Sequence, residues 1–297
     1  MPPPRNRESL VLVCVAAHYV EARLSWLQQV LAAFAAYPCP VSVIIHTNEI
    51  GNDERVKINA IVPNGLAVEL RVGQNLKHPF DLVWCHKHAI LHDFLATRHT
   101  HFIYVEDDIV IDADAFAYWK KYRDILRLKG LVPGFVRVEQ IDGTGPWYAT
   151  DQFGSTHIDW LRTIEMGQWS FTNLDSPYVA SFVLDQTLAN EHVASPAFSE
   201  VTSRIVKPNW DRRERAAMGI TFENVPRFFH SRLVVPFDAR TLQVPDFARI
   251  VHAPGTYAAN PTSDLAKLRL TDLLKRQSLT GQVSSIAERV RRKVIRR

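Results

Sequence analysis

The fold is decided by one stretch of the chain, His101-Phe102-Ile103-Tyr104-Val105-Glu106-Asp107-Asp108-Ile109-Val110-Ile111. The run from Phe102 to Val105 is aromatic and β-branched, which predicts a buried strand. Three consecutive carboxylates follow it, and an unpaired ionised carboxylate is very costly in an apolar medium. We therefore expect the acids to lie where the strand ends, at the carboxyl edge of an α/β sheet, where such sheets bind ligands.

Two interpretations of the three acids are open. Oxygen ligands packed this closely suit Mg²⁺ or Mn²⁺, which usually bridge one or two protein carboxylates to substrate phosphates. An Asp-Asp pair after a strand can equally form a turn or cap a helix. The residue types alone do not separate a metal site from a turn.

The composition is that of an ordinary globular enzyme. The 297 residues suit one large domain or two small ones, and they are 46% hydrophobic and 22% charged. No run of about 18 apolar residues predicts a transmembrane helix, and the start of the chain lacks the apolar stretch of a signal peptide. Cys14 and Cys85 lie in apolar contexts and are expected to be reduced. A cytoplasmic location is the default expectation.

The positive charge is concentrated at the C-terminus. The formal net charge is +4, and residues 282–297 carry six basic residues and one acid, which leaves the rest of the chain at −1. This distribution argues against a nucleic-acid-binding domain. The basic tail is expected to be either disordered or a peripheral contact with anionic membrane, at roughly 1 kcal/mol per basic residue near the surface.

The first half of the chain alternates strand and helix patterns. Residues 9–17 are continuously apolar, as in a strand buried on both faces, and 23–37 has apolar residues at helical spacing. Further strands are expected at 41–46 and 66–72. This order predicts the start of a doubly wound sheet.

A basic segment precedes the acidic stretch. Pro79 can begin a helix that runs to about Ala96, and Lys77, His86 and Lys87 lie in or beside it. These cations are candidates to clamp a nucleotide diphosphate, and the alternative is a solvated helix face. A zinc site is disfavoured because neither a cysteine pair nor a His-Glu-x-x-His motif accompanies the histidines.

The second half has weaker patterns. A helix is expected at 113–129 with Phe116, Trp119, Ile125 and Leu126 facing inward, followed by a turn at 131–134. Residues 134–140 alternate apolar with charged, which predicts a strand with one wet face carrying Arg137 and Glu139. Residues 142–153 are expected to form a loop or hairpin, 176–185 a strand and 186–192 a short helix.

The last signals lie between residue 208 and the tail. Asp211 is a good helix N-cap, Glu214 completes a capping box, and Gly219 is a good C-terminal stop. A short apolar stretch ends at His252, and an amphipathic helix is expected at 264–275.

At this point the chain resembles glycosyltransferases of the GT-A fold. The match is to a layout: a nucleotide-binding α/β half, an acidic motif that ends a central strand, and then an acceptor half. Glu106-Asp107-Asp108 resembles the Asp-x-Asp motif of that class, with Glu in place of the first Asp. The resemblance covers roughly residues 9–260. It implies an α/β fold with a GT-A-like, Rossmann-type mixed sheet flanked by helices in one large domain.

The resemblance also divides the chain. Residues 1–8 would be a disordered N-terminus, 9–130 the half that binds the nucleotide sugar, and 131–262 the half that binds the acceptor. Residues 263–297 would be a C-terminal helix and basic tail.

The resemblance further assigns roles in a metal-dependent transfer of a sugar from a nucleoside-diphosphate sugar to a hydroxyl of a glycan or other acceptor. Asp108 would be the main ligand of Mn²⁺ or Mg²⁺, with Asp107 and Glu106 helping through water or ribose. His252 would be a second ligand, with His230 as the alternative. By the same resemblance, four further residues would face the base and ribose of the nucleotide: His18, Tyr19, Thr47 and Asn48.

The ion would neutralise the leaving diphosphate, and Lys77, His86 or Lys87 could add charge. An inverting enzyme needs a carboxylate base, for which Asp211 and Glu214 are candidates and Glu139 and Glu223 runners-up. Two other functions stay open: a nucleotidyltransferase, although no Gly-rich loop follows the first strand, and a non-catalytic carbohydrate-binding or membrane-associated protein. No nucleic-acid partner is expected.

Overall fold

The computed structural model describes residues 9–73, 76, 78–141 and 143–276. These residues form a single mixed α/β domain with several sheets and flanking helices. The expected disordered N-terminus, Lys77 and the basic tail lie outside the described residues.

Sixteen strands occur in the described part of the chain. Numbered in chain order, they are β1 Val11–Ala16, β2 Val41–Thr47, β3 Ala67–Val72, β4 His101–Glu106, β5 Ile109–Val110, β6 Val132–Pro133, β7 Val136–Ile141, β8 Thr144–Ala149, β9 Thr156–His157, β10 Ile164–Met166, β11 Trp169–Thr172, β12 Ser181–Asp185, β13 Leu233–Asp238, β14 Arg249–His252, β15 Leu268–Arg269 and β16 Leu274–Lys275.

Eight α-helices lie between these strands, again counting only the described residues. They are α1 Leu24–Ala35, α2 Asn52–Ala60, α3 His86–Ala89, α4 Ala113–Arg127, α5 Gln186–Val193, α6 Glu200–Val206, α7 Arg212–Met218 and α8 Thr256–Ala259. Short 3₁₀ turns and one π-helical segment, Ile90–Phe94, complete the helical structure.

The central sheet has the order β12-β4-β1-β2-β3, with β12 antiparallel to β4 and the other strands parallel. The chain proceeds from β1 through β2 to β3 and then returns to place β4 on the other side of β1. Ala16 pairs with Glu106, so β1 and β4 end at the same level. The reversal of strand order between β1 and β4 makes their carboxyl ends the crevice where open α/β sheets bind ligands.

Helices α1 and α4 cover one face of this sheet. Phe34 of α1 is buried, and Tyr37 just beyond the helix stacks on Phe116 of α4 with ring centroids 5.3 Å apart. The Tyr37 hydroxyl donates to the carbonyl of Ile111 at 3.1 Å. Trp119 of α4 is also buried, as expected, but Ile125 is 45% exposed, so its predicted inward position is wrong.

The basic segment that begins at His78 covers the opposite face of the sheet, and its helix type changes twice along the chain. His78 caps a 3₁₀ turn that begins at Pro79, where a helix start was expected, and α3 and the π-helical segment follow it. His86 packs against Tyr104 of β4, with ring centroids 4.5 Å apart. Instead of the expected single α-helix, this segment forms a 3₁₀ turn, a short α-helix and a π-helical segment in succession, and it packs on the sheet rather than facing solvent.

A second sheet has the order β15-β8-β7-β14-β5. Its strand β7 contradicts the predicted wet face, because Arg137 is 7% exposed and Glu139 is 0% exposed. The strand lies inside the sheet, between β8 and β14, and both charges have buried partners. Charge alternation in the sequence indicated solvent here, whereas the fold supplies polar partners instead.

Two other local predictions need correction, and one helix was not predicted. Residues 264–275 do not form a helix; they form the two short strands β15 and β16 around a 3₁₀ turn. The expected turn at 131–134 contains β6, which pairs in parallel with β13. Helix α2 was not predicted, because Ile58 is its only buried residue and its apolar pattern is correspondingly weak.

None of the helices in the described part of the chain combines the length and apolar character needed to cross a lipid bilayer.

The loop after β14 requires glycine at position 255. Gly255 has φ +63°, and a Cβ there would lie 2.9 Å from the carbonyl oxygen of Gln140. We predict that Gly255→Ala lowers the free energy of unfolding by more than the about 1–2 kcal/mol of left-handed backbone alone. Urea unfolding measures it.

Gly167→Ala is the matched control for this prediction. Gly167 has φ +64°, and nothing lies within 4 Å of the Cβ it would gain. The two variants therefore share the backbone cost and differ in the steric contact. Equal losses of stability in the two variants would show that the short distance between residue 255 and the Gln140 carbonyl does not constrain the loop.

Candidate functional site

The three acids leave β4 at its carboxyl end, as expected. Glu106 is the last residue of β4, and Asp107 and Asp108 form the turn into β5. Asp107 is 3% exposed and Asp108 is 7% exposed, so neither points into open solvent. Two buried carboxylates at a turn need partners, because burial without pairing costs several kcal/mol per ion.

Arg23 is the first of these partners. It ends the 3₁₀ turn before α1, and its Nε donates to Asp107 Oδ2 at 3.0 Å while Nη2 donates to Asp107 Oδ1. The same Nη2 reaches Asp108 Oδ2 at 3.0 Å. Arg23 was not among the predicted site residues, since no local pattern links it to Asp107, 84 residues away.

His252 is the second partner. Strand β14 pairs with β5, which sets His252 opposite Ile109, and the Ala253 N–H donates to the Asp108 carbonyl at 2.8 Å. His252 Nε2 lies 3.5 Å from Asp108 Oδ2. The expected neighbourhood of His252 and Asp108 is therefore present, whereas the alternative, His230, bonds to the carbonyl of Leu174 at 2.7 Å.

A buried carboxylate holds the other side of the His252 ring. Glu139 Oε1 is hydrogen-bonded to His252 Nδ1, and Oε2 accepts from the Ala258 N–H at 2.7 Å. Tyr257 stacks on the imidazole with ring centroids 4.8 Å apart. The ring is thus fixed by a hydrogen bond on one edge and an aromatic face.

The acids respond differently to burial. Burial, reinforced by the Asp108 charge, raises the pKa of Glu106 to about 7. Burial also raises the pKa of Asp107 to about 6, against the opposing hydrogen bond from Arg23. Burial would raise the pKa of Asp108 too, but the His252 hydrogen bond and charge and the Arg23 charge lower it overall. Asp108 is the acid whose surroundings favour the ionised form.

More side chains complete the surroundings of Glu106. The Tyr178 hydroxyl lies 3.4 Å from Glu106 Oε1, and the guanidinium of Arg137 lies 5.4 Å from the Tyr178 ring centre. Arg137 Nε donates to Asp151 Oδ2 at 2.8 Å and to Thr150 Oγ1 at 2.9 Å. The buried Arg137–Asp151 pair is a constraint that the strand pattern did not reveal.

The residues expected to face a base and ribose lie around one pocket. His18, Tyr19 and Thr47 line it, together with Asp107 and Arg23. Asn48 accepts a hydrogen bond from the Tyr19 N–H at 2.6 Å, which ties the ends of β1 and β2 together. The free volume inside this pocket is only about 10 Å³, far below the roughly 300–1,000 Å³ of typical ligand sites.

The expected cation clamp is not present in the described residues. His86 is fully buried, with Nδ1 2.6 Å from the Val83 carbonyl. Lys87 is 9% exposed, and its Nζ lies 2.5 Å from His192 Nε2. Both face the interior between the sheet and α5, so they are not available to a diphosphate, and Lys77 lies outside the described residues.

The helix that carries the two base candidates has the predicted capping box. Asp211 accepts from the Glu214 N–H at 2.8 Å, and Glu214 accepts from the Asp211 N–H at 3.0 Å. Gly219 ends this helix, α7, with φ 52°. Of the runner-up bases, Glu139 is buried and Glu223 accepts from the Ala197 N–H at 3.0 Å.

Arg213 is the cation that α7 brings toward the acids. It stacks on Phe80 at 4.6 Å, and its Nε is buried with no hydrogen-bond partner among the described residues. Burial lowers the pKa of Arg213, but the neighbouring Tyr178 and Glu106 raise it overall. The capping-box helix therefore places a positive charge beside Glu106, which the sequence analysis did not identify.

The described residues offer a divalent cation at Asp108 few protein ligands. Asp108 Oδ1 is buried and has no hydrogen-bond partner in the described part of the chain, and His252 Nε2 lies beside the same carboxylate. No cluster of three or more His, Cys, Asp or Glu side chains placed to hold a metal occurs in residues 9–73, 76, 78–141 and 143–276. An ion here would thus take its other ligands from water and substrate, as Mg²⁺ commonly does.

Comparison with known proteins adds no family. No protein-family model matches the chain, and no curated protein sequence matches it.

The raised pKa of Glu106 gives a pH-dependent stability prediction. Between the ordinary value of 4.5 and about 7, the folded protein binds a proton that the unfolded chain has released, so stability falls as pH rises through this window. Glu106→Gln stays neutral. The free energy of unfolding of Glu106→Gln, relative to wild type, should therefore increase by on the order of 2 kcal/mol as the pH rises through this window. The figure follows from about 1.4 kcal/mol per unit of pKa shift, reduced because Glu106 is partly exposed.

Denaturant titrations of both proteins at several pH values, without added divalent cation, measure this difference. Glu165→Gln is a control, because Glu165 is exposed and distant in sequence from the acidic turn. A constant gap between wild type and Glu106→Gln would mean that Glu106 titrates normally.

Proposed function

We propose that the protein is a divalent-cation-dependent glycosyltransferase of the GT-A type that uses a nucleoside-diphosphate sugar. The observation that carries the proposal is Asp108, a buried carboxylate with a lowered pKa that lies beside His252 at the turn after a central strand and has one oxygen without a hydrogen-bond partner in the described part of the chain. Such an arrangement at a reversal of strand order is suited to a cation and an anionic ligand.

The layout supports the nucleotide side of the proposal. The pocket lined by His18, Tyr19 and Thr47 adjoins Asp107, so a ligand bound there would contact the acidic turn. Its small volume implies that a nucleoside must widen it, and the partly exposed side chain of Arg23 forms one of its walls.

In this proposal arginines supply the charge that was expected from His86 and Lys87, because both of those side chains are buried. Arg213 is half-buried near Glu106; it lies 3.4 Å from Asp211 Oδ2, and its Nε has no hydrogen-bond partner among the described residues. A guanidinium with unused donors is suited to a phosphate oxygen. Arg213 would thus bind the leaving diphosphate.

Asp108 and His252 would hold Mn²⁺ or Mg²⁺, which when bound would neutralise charge on the leaving diphosphate. The pKa of Glu106 is raised to about 7, so it is partly protonated near neutral pH, and both oxygens of Asp107 accept from Arg23, which makes both poorer direct ligands than Asp108. The remaining tasks belong to the chain: Arg213 orients the phosphates and Tyr178 holds Glu106.

Glu214 is the proposed base if the reaction inverts configuration. It opens α7 on the acceptor side of the site, and burial raises its pKa. A raised pKa brings a carboxylate closer to the operating pH of a general base. A retaining enzyme would not require it.

The central test is Asp108→Asn. We predict that nucleoside diphosphates stabilise the wild type only with Mn²⁺ and that the variant loses this effect, because the amide cannot supply the anionic ligand. At a ligand concentration of about 100 Kd the lost stabilisation is about 2.7 kcal/mol. A thermal-shift screen of nucleoside diphosphates, with and without Mn²⁺, measures it.

Asp114→Asn is the control for this screen, since Asp114 is exposed and the substitution removes the same formal charge as Asp108→Asn. Unchanged nucleotide binding by Asp108→Asn would remove the metal-dependent proposal. Release of pyrophosphate rather than nucleoside diphosphate during turnover would indicate a nucleotidyltransferase instead.

Glu214 can be tested without breaking its cap. Glu214→Gln keeps a side-chain oxygen that accepts from the Asp211 N–H, so unfolding should change by only about 0.5 kcal/mol. If Glu214 is the base, turnover should fall by about 10²-fold or more. Product formation by wild type and variant, with stability measured in parallel, tests this.

Glu214→Ala is the comparison for the capping role. It should lose about 1 kcal/mol, the usual value of a cap interaction. Full turnover in Glu214→Gln would exclude Glu214 as the base.

A further inference from the structure

Glu139 has an arrangement that neither a wet strand face nor a catalytic base explains. It is fully buried on β7, and both of its carboxylate oxygens are engaged. Oε1 bonds to His252 Nδ1 and Oε2 accepts from the Ala258 N–H at 2.7 Å. A carboxylate so enclosed cannot reach a substrate hydroxyl, so Glu139 is excluded as the acceptor base.

The contact with Nδ1 decides which nitrogen of His252 carries the hydrogen. A carboxylate oxygen accepts hydrogen bonds, so Nδ1 is the donor in this pair. In the neutral ring, Nε2 then presents its lone pair to Asp108 Oδ2, 3.5 Å away. Two acceptors facing each other at that distance repel unless a proton or a cation lies between them.

The ring is also held in its plane. Tyr257 stacks on it at 4.8 Å with an interplanar angle of 8°, and Tyr257 precedes the Ala258 whose N–H binds Glu139. Strand β14 is fixed between β7 and β5, so the backbone of His252 cannot shift independently. Glu139 therefore controls both the ring and the stacking residue that supports it.

We propose that Glu139 is a positioning residue that fixes the tautomer and orientation of His252, so that Nε2 faces the Asp108 carboxylate. A carboxylate bonded to the distal nitrogen is the usual support of a histidine that binds a metal, and losing it typically costs 10–100-fold in metal affinity. The consequence for cation binding rests on the proposed function, whereas the tautomer does not.

The direct test is nitrogen NMR of ¹⁵N-histidine-labelled protein without metal, at a pH where His252 is neutral. Wild type should show the hydrogen on Nδ1. In Glu139→Gln the amide can donate to Nδ1, so the hydrogen should move to Nε2. An unchanged tautomer in Glu139→Gln would overturn the proposal.

A Mn²⁺ titration followed by electron paramagnetic resonance tests the consequence. Glu139→Gln should weaken Mn²⁺ binding by 10–100-fold, and it should have no further effect in a His252→Ala background. An equal loss in both backgrounds would mean that Glu139 acts through general structure and would overturn the proposal.

Glu223→Gln is the matched control, because Glu223 also accepts a backbone N–H, from Ala197, but belongs to no histidine pair in the described residues. It should leave Mn²⁺ affinity unchanged. A wild type that binds no Mn²⁺ but shows the expected tautomer exchange would support the role of Glu139 and refute the proposed function, so the two failures are distinguishable.

Discussion

The candidate site depends on the burial of negative charge at the end of β4. Asp107 and Asp108 are buried at the turn and Glu106 lies beside them, and the fold tolerates this because Arg23 donates hydrogen bonds to both aspartates and the His252 ring lies 3.5 Å from Asp108. The compensation is incomplete, since the pKa values of Glu106 and Asp107 are raised. A place where buried carboxylates exceed the cations that touch them attracts a further positive charge, and this excess underlies the proposed function.

The features that could be predicted from the sequence have local causes. The strand and the three acids occupy one short stretch, and the solvation cost of the carboxylates requires the strand to end there. The capping box of α7 depends on two residues three positions apart, so it can be recognised in the sequence without knowing the fold. β1 was recognisable because a strand buried on both faces has no polar positions.

The features that could not be predicted depend on pairings between distant segments. Arg23 meets Asp107 across 84 residues, and Glu139 meets His252 across 113. Lys87 was also mispredicted. Its charge suggested an exposed position, but the side chain is buried and contacts His192 and two aromatic rings. Polarity in a sequence reports that a side chain needs partners, and only the tertiary structure decides whether water or protein supplies them.

The same pairings show that the site does not divide at residue 130. Asp108 precedes β5, which pairs with β14, and β14 pairs in turn with β7, which carries Glu139. The loop after β14 returns to β7 twice, because Gly255 packs on the Gln140 carbonyl and Ala258 donates to Glu139. The acidic turn supplies the charge, but the positions of its partners come from two strands of the later half. The geometry around Asp108 can therefore form only when both halves have folded together.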